Sequence, residues 1–130
     1  LANNAPEYYV KPAVLVIKTP DAAEEVISEI LLGIEEEGIP AGVQIRQRGE
    51  AVNLAKGAAD GSSLNVGIGA SAVEVAVHHR DLPAVHPLFL LSKEKLTATN
   101  LRCLGTNAAR LVKGNPLVLN DDLLKSGTDN

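Results

Sequence analysis

Four groups of residues in this 130-residue sequence are of types that could do chemistry: the acidic run Glu35-Glu36-Glu37, the turn Gly67-Ile68-Gly69, the histidines His78, His79 and His86, and the single cysteine, Cys103. Gly67-Ile68-Gly69 follows an apparent strand, as a phosphate-binding turn does. It lacks the third glycine, however, and opens onto another strand pattern instead of a helix, so it reads as a hairpin turn. His78 and His79 close a strand, where one side chain faces inward and the other outward. No His-Glu-x-x-His helix or nearby carboxylate accompanies them or His86, and they read as structural or exposed histidines. Cys103 lies within a helical pattern without a Cys/His/Asn constellation and reads as an inert, half-buried thiol. As the lone cysteine it excludes an internal disulfide and a cysteine metal cluster. Ser62, Ser63 and Ser71 are turn residues outside any nucleophile elbow. The chain offers no catalytic set of its own.

The acidic run breaks a local rule. Its three carboxylates stand at the end of an amphipathic helix that stops at Gly38, where the macrodipole is negative and each such charge costs roughly 0.3–1 kcal/mol. With Ile30 as origin and about 100° per residue, the apolar stripe centres near 30°. Glu36 then lies roughly 150° from that stripe and Glu37 only about 50°. Ser28 and Leu32 precede Glu36 at four-residue steps, so an apolar side chain neighbours an outward carboxylate. Two readings stay open. One is a solvated acidic helix end with a single exposed Leu. The other is a partner-facing patch in which Glu36 meets a cation, a metal or a basic side chain supplied by another protein.

The elements that must position these residues follow from the apolar pattern. Apolar residues make up 45% of the chain, with Tyr8, Tyr9 and Phe89 as the only aromatics, so the core is aliphatic and closely packed. Residues 1–12 form a flexible N-terminal arm, 13–116 a single α/β domain and 117–130 a polar C-terminal tail. Ala13 to Ile17 is a strand buried on both faces. Thr19-Pro20-Asp21 supplies helix-start chemistry, and Ala23, Val26, Ile27, Ile30, Leu31 and Ile34 form the stripe of a helix. A less buried strand spans Gly42 to Gln47, a short helix Glu50 to Ala59, and a third strand Leu64 to Ile68. After a break at Gly69-Ala70-Ser71, Val73, Val75 and Val77 alternate with polar or small residues, which marks an antiparallel hairpin and a mixed sheet. Leu88 to Leu91 is a short strand. Leu101, Leu104, Ala108, Leu111 and Val112 stripe a last helix closed by Gly114 and Pro116. Gly105-Thr106-Asn107 are poor helix formers in its middle and imply a close backbone contact or a distortion.

The charge balance of −4 and the scarcity of aromatics argue against a nucleic-acid surface. No apolar run reaches the roughly 20 residues of a membrane span, and no signal-peptide pattern opens the chain; a cytoplasmic protein is expected.

Two segments resemble a known family. Leu31-Leu32-Gly33-Ile34-Glu35-Glu36-Glu37-Gly38-Ile39-Pro40 and Gly105-Thr106-Asn107-Ala108-Ala109-Arg110-Leu111-Val112-Lys113-Gly114 are similar to signatures of the small (beta) subunit of diol/glycerol dehydratase reactivase. Val66-Gly67-Ile68-Gly69 and Val77-His78-His79-Arg80-Asp81-Leu82-Pro83 fall between them in the family's order. The resemblance implies a three-layer α/β/α domain with a mixed, mostly parallel sheet of about five strands, shared with the dehydratase medium subunit. It also implies a non-catalytic subunit that partners a large subunit with an Hsp70-like ATPase domain. That complex releases damaged cobalamin from an inactivated adenosylcobalamin-dependent dehydratase, and the small subunit exchanges places with the medium subunit, transiently meeting the dehydratase large subunit.

Glu36 matches the family glutamate that reaches a divalent ion at the interface with the large subunit. Oxygen ligands suit Mg²⁺ or Ca²⁺. The implied interface residues are Ser28, Leu32, Glu35 and Glu36, with no cofactor bound by this chain alone and an association with a bacterial microcompartment left open. A dehydratase medium subunit or a fragment of one is the alternative. Medium subunits usually carry additional terminal segments, so the chain's length favours the reactivase. A free-standing small-molecule-binding α/β domain is a weaker third reading.

Overall fold

The computed structural model describes residues 12–128; most of the expected N-terminal arm therefore lies outside the described residues. The chain runs β1 (Val14–Lys18), α1 (Glu24–Glu36), β2 (Ala41–Ile45), α2 (Ala51–Gly61), β3 (Val66–Ala70), β4 (Glu74–His79) and β5 (Phe89–Ser92). A short 3-10 turn (Lys93–Lys95), α3 (Ala98–Lys113) and α4 (Asp121–Thr128) follow. The five strands form one sheet in the order β2-β1-β3-β4-β5. β1 pairs in parallel with β2 and β3, whereas β4 is antiparallel to both β3 and β5, so four strands share one direction. The sheet is mixed, as the hairpin pattern requires, and mostly parallel with five strands, as the resemblance implies.

Alternation along the strands sorts the layers. Val14, Val16, Val66, Ile68, Val75, Val77, Phe89 and Leu91 face the main core with α1, α3 and Leu123 of α4. Leu15, Ile17, Ala76 and Leu90 face α2 on the opposite side. The third strand runs on through Gly69 to Ala70, past the expected break. A Cβ at Gly67 or Gly69 would collide with the backbone of α2 at Ala59 and Ala51, so these glycines seat the helix on the sheet. The hairpin loop that follows is Ser71 to Val73, where Ser71 Oγ accepts the backbone N–H groups of Val73 and Glu74.

Two further expectations change. Helix α1 starts at Glu24 with no side-chain cap, because the residue at the cap position is Ala23, which offers no acceptor, while Thr19 and Asp21 hydrogen-bond to each other ahead of it. The stretch after Pro116, expected to be a polar tail, folds over 121–128 as α4, with Leu123 fully buried against the core that β5 lines. Asn120 starts it by accepting the Leu123 backbone N–H at 2.9 Å, with Asp121 and Asp122 in the first turn. Two buried asparagines of α3 fix this segment. Asn107 exchanges two hydrogen bonds with the Val118 backbone, and Asn100 donates to Lys95 O and Asp122 while accepting from Asn120. Among the described residues no helix is long and apolar enough to cross a membrane.

Candidate functional site: the acidic end of helix α1

The site begins with two glycines. A Cβ on Gly33 would strike the Arg102 carbonyl, and one on Gly105 would strike the Ile30 carbonyl. With glycine at both places, α1 and α3 approach until backbone meets backbone, which is the close contact that the helix-breaking Gly105-Thr106-Asn107 implied. Cross-pairs show that the helices run the same way: Glu29 meets Arg102 along their course, and Glu37 meets Lys113 at their ends. Their negative dipole ends therefore lie side by side.

Each acid of the run meets a different fate. Glu37 follows the last residue of α1 and turns inward, its side chain 15% exposed, between Lys113 Nζ at 2.8 Å and Arg110 Nη2 at 3.2 Å. The Lys113 ammonium also donates to the Glu37 carbonyl at 2.9 Å, satisfying a backbone acceptor at the helix end. Hydrogen bonds from Lys113 and then Arg110 hold the Glu37 carboxyl below the usual glutamate range, outweighing burial, which acts the other way. Glu36 stays outside, its side chain 57% exposed, and its Oε2 accepts from Arg102 Nη1 at 3.0 Å. Arg102 reaches on to Glu29 Oε1 through Nε at 3.1 Å and Nη2 at 3.0 Å. Glu35 is exposed and forms no ion pair among the described residues. Gly38, with φ +78°, then turns the chain towards β2.

Ser28 and Leu32 are exposed on the same helix, with Leu32 at 41%. The structure thus keeps Ser28, Leu32 and Glu36 at the surface, as the helical geometry required, and Glu35 with them. It adds two residues that sequence reasoning missed, Arg102 and Glu29. A signal for them existed: Glu29 and Glu36 are two turns apart around Gly33, and Arg102 lies one turn before Gly105.

Glu36 provides one hard oxygen, Oε1, that makes no hydrogen bond or ion pair among the described residues. Among the same residues no three His, Cys, Asp or Glu side chains converge on one point. This donor set fits a Mg²⁺ or Ca²⁺ ion only as a shared ligand, the remaining oxygens coming from water or another protein. The other candidates are structural. His78 is fully buried, its Nε2 3.1 Å from Ala84 O and its Nδ1 3.1 Å from the His79 backbone nitrogen and 3.2 Å from the His79 carbonyl oxygen, so backbone groups hold both ring nitrogens. His79 is half-buried. Cys103 is half-buried beside Glu29 and Arg102 in an open cleft that Ala98 and Thr99 complete.

Residues 11–118 match the family model described as dehydratase medium subunit, so fold and sequence together define a domain of that type. The chain is 45% identical over 102 residues to the diol dehydratase-reactivating factor small subunit of Klebsiella michiganensis, covering 78% of this chain and 81% of that one. It superposes with a TM-score of 0.78 on a chain of a diol dehydratase-reactivating factor complexed with ADP and Mg²⁺, at 42% identity, with 85% of this chain and 100% of that chain covered. A glycerol dehydratase reactivase chain matches with a TM-score of 0.79 at 38% identity, covering 84% and 98%. The chain belongs to the small subunits of diol and glycerol dehydratase-reactivating factors.

Proposed function

We propose that this chain is the non-catalytic, docking subunit of its reactivating factor and that the α1 face of Ser28, Leu32, Glu35 and Glu36 meets a large subunit that carries the Hsp70-like ATPase. Glu36 supplies one oxygen to a divalent cation, Mg²⁺ or Ca²⁺, whose other ligands come mostly from that subunit. The small subunit then exchanges places with the dehydratase medium subunit, with which it shares a fold, while transiently contacting the dehydratase large subunit, and damaged cobalamin leaves. The observation that carries this reading is the outward Glu36, with one oxygen free beside an exposed Leu32. A small subunit implies a large one, and the chain of similar fold complexed with ADP and Mg²⁺ is consistent with a cation in such an assembly.

The test is co-purification with a large reactivating-factor subunit, with and without Mg²⁺, ADP and ATP. Association that requires the cation, and that Glu36→Gln weakens far more than Glu35→Gln while the circular dichroism is unchanged, supports the reading. Equal effects of the two substitutions would sink it. The family model's description keeps a second reading in view, that of a medium subunit of the dehydratase itself. Association only with a dehydratase large subunit, in a cobalamin-binding assembly, would favour that reading instead.

A further inference from the structure

We propose that Arg102 is a positioning residue for Glu36: it fixes one carboxylate oxygen so that the other points outward as a preformed cation ligand. This rests on the reading of Glu36 as a ligand. Glu29 and Glu36 are seven residues apart on α1, which places them on one flank, and Arg102 of α3 bridges them. The guanidinium is anchored by Nε and Nη2 on the more enclosed Glu29, whose side chain is 28% exposed. Only the remaining Nη1 extends to Glu36, whose side chain is twice as exposed at 57%.

That geometry matters in three ways. Arg102 needs no release from Glu36 for a cation to bind, because it touches Oε2 and leaves Oε1 open. The triad of two carboxylates and one guanidinium keeps a net negative charge, so a cation is still attracted. A glutamate at an exposed helix end otherwise spreads over many rotamers, and ordering it on association is unfavourable. Groups behind a metal ligand that hold its orientation are worth about 10–100-fold in metal affinity. The close approach of Gly33 to the Arg102 carbonyl supports the arrangement, since it fixes the α3 backbone at Arg102 against α1.

The experiment titrates Mg²⁺ into this chain and its large partner subunit and reads the concentration that gives half-maximal association. Arg102→Met is expected to raise it about tenfold or more. Glu29→Gln, which removes the anchor and leaves the guanidinium, is expected to raise it less. In a Glu36→Gln background, Arg102→Met is expected to add nothing. Thermal unfolding of each variant alone confirms that the fold is retained. An unchanged or lowered Mg²⁺ requirement for Arg102→Met overturns the inference, the latter outcome making Arg102 a competitor of the cation. A full Arg102 effect in the Glu36→Gln background also overturns it, since Arg102 would then act elsewhere. If Glu36→Gln alone leaves the Mg²⁺ dependence intact, the ligand reading falls and this inference with it. A Glu36 effect without an Arg102 effect removes this inference alone.

Discussion

The seam between α1 and α3 carries two ion clusters of opposite composition. At its middle, one cation, Arg102, is divided between two carboxylates, Glu29 and Glu36. At its end, one carboxylate, Glu37, is divided between two cations, Arg110 and Lys113. The second cluster is the more enclosed at its carboxylate, sits on adjacent helix C-termini, and has an excess of positive charge where both macrodipoles are negative. It offsets the dipole conflict and ties the helix ends together. The first cluster is exposed and acidic in excess, and it leaves an oxygen uncommitted. Adjacent glutamates thus differ in commitment: Glu37 is held between two cations at the helix ends, whereas Glu36 is held through one oxygen and keeps the other without a hydrogen bond among the described residues.

Breaking the seam should damage both clusters at once and give the largest effect. Gly105→Val forces a branched side chain against the Ile30 carbonyl, and a loss of roughly 1–3 kcal/mol is expected in urea unfolding. Glu36→Gln separates the clusters functionally. It should leave urea unfolding nearly unchanged while raising the cation concentration needed for association by about tenfold or more, the scale on which even groups behind a ligand act.

Glu37→Gln tests the other cluster through pH. Because the folded-state value of Glu37 is depressed, its contribution is fully present above the ordinary glutamate value of 4.5 and is lost as pH falls from there through the lower folded value. The parent chain should therefore lose more stability between neutral pH and the acid side of that window than the Glu37→Gln chain. Thermal midpoints measured across that range read the difference. Glu35→Gln should do least, within about 0.5 kcal/mol in unfolding, and should leave the cation requirement where it was.

Much of this arrangement was legible in the sequence, for identifiable reasons. The Ala13 to Ile17 run is continuously apolar, the stripe from Ala23 to Ile34 has the helical period and Val75 and Val77 the strand period, and the structure follows these, with Val73 left in the hairpin loop. Helical geometry alone put Glu36 outside and Glu37 near the core. What it could not supply was the identity of the partners, because Arg102, Arg110 and Lys113 lie on a helix far along the chain. Only the contact of Gly33 with α3 brings them into register. Helix α4 was missed for another reason. Its apolar face is short, and Asn120-Asp121-Asp122 resembles a solvated tail until it is recognised as a cap followed by an acidic first turn. Asn107 looked like an interruption of α3, yet it and Asn100 are buried hydrogen-bonding partners of the segment that returns over the helix.

The residues that meet across the seam are 66 to 76 positions apart in the sequence. Sheet pairs such as β3–β4 join close neighbours and close small loops, whereas the seam needs α3 to be synthesised before α1 can be completed. During N-to-C synthesis the acidic end of α1 therefore emerges early but has its basic counterparts only after Lys113 has left the ribosome. A chain that ends before Arg102 carries the Glu35-Glu36-Glu37 motif without the ion pairs that hold Glu36 and Glu37 in the finished fold.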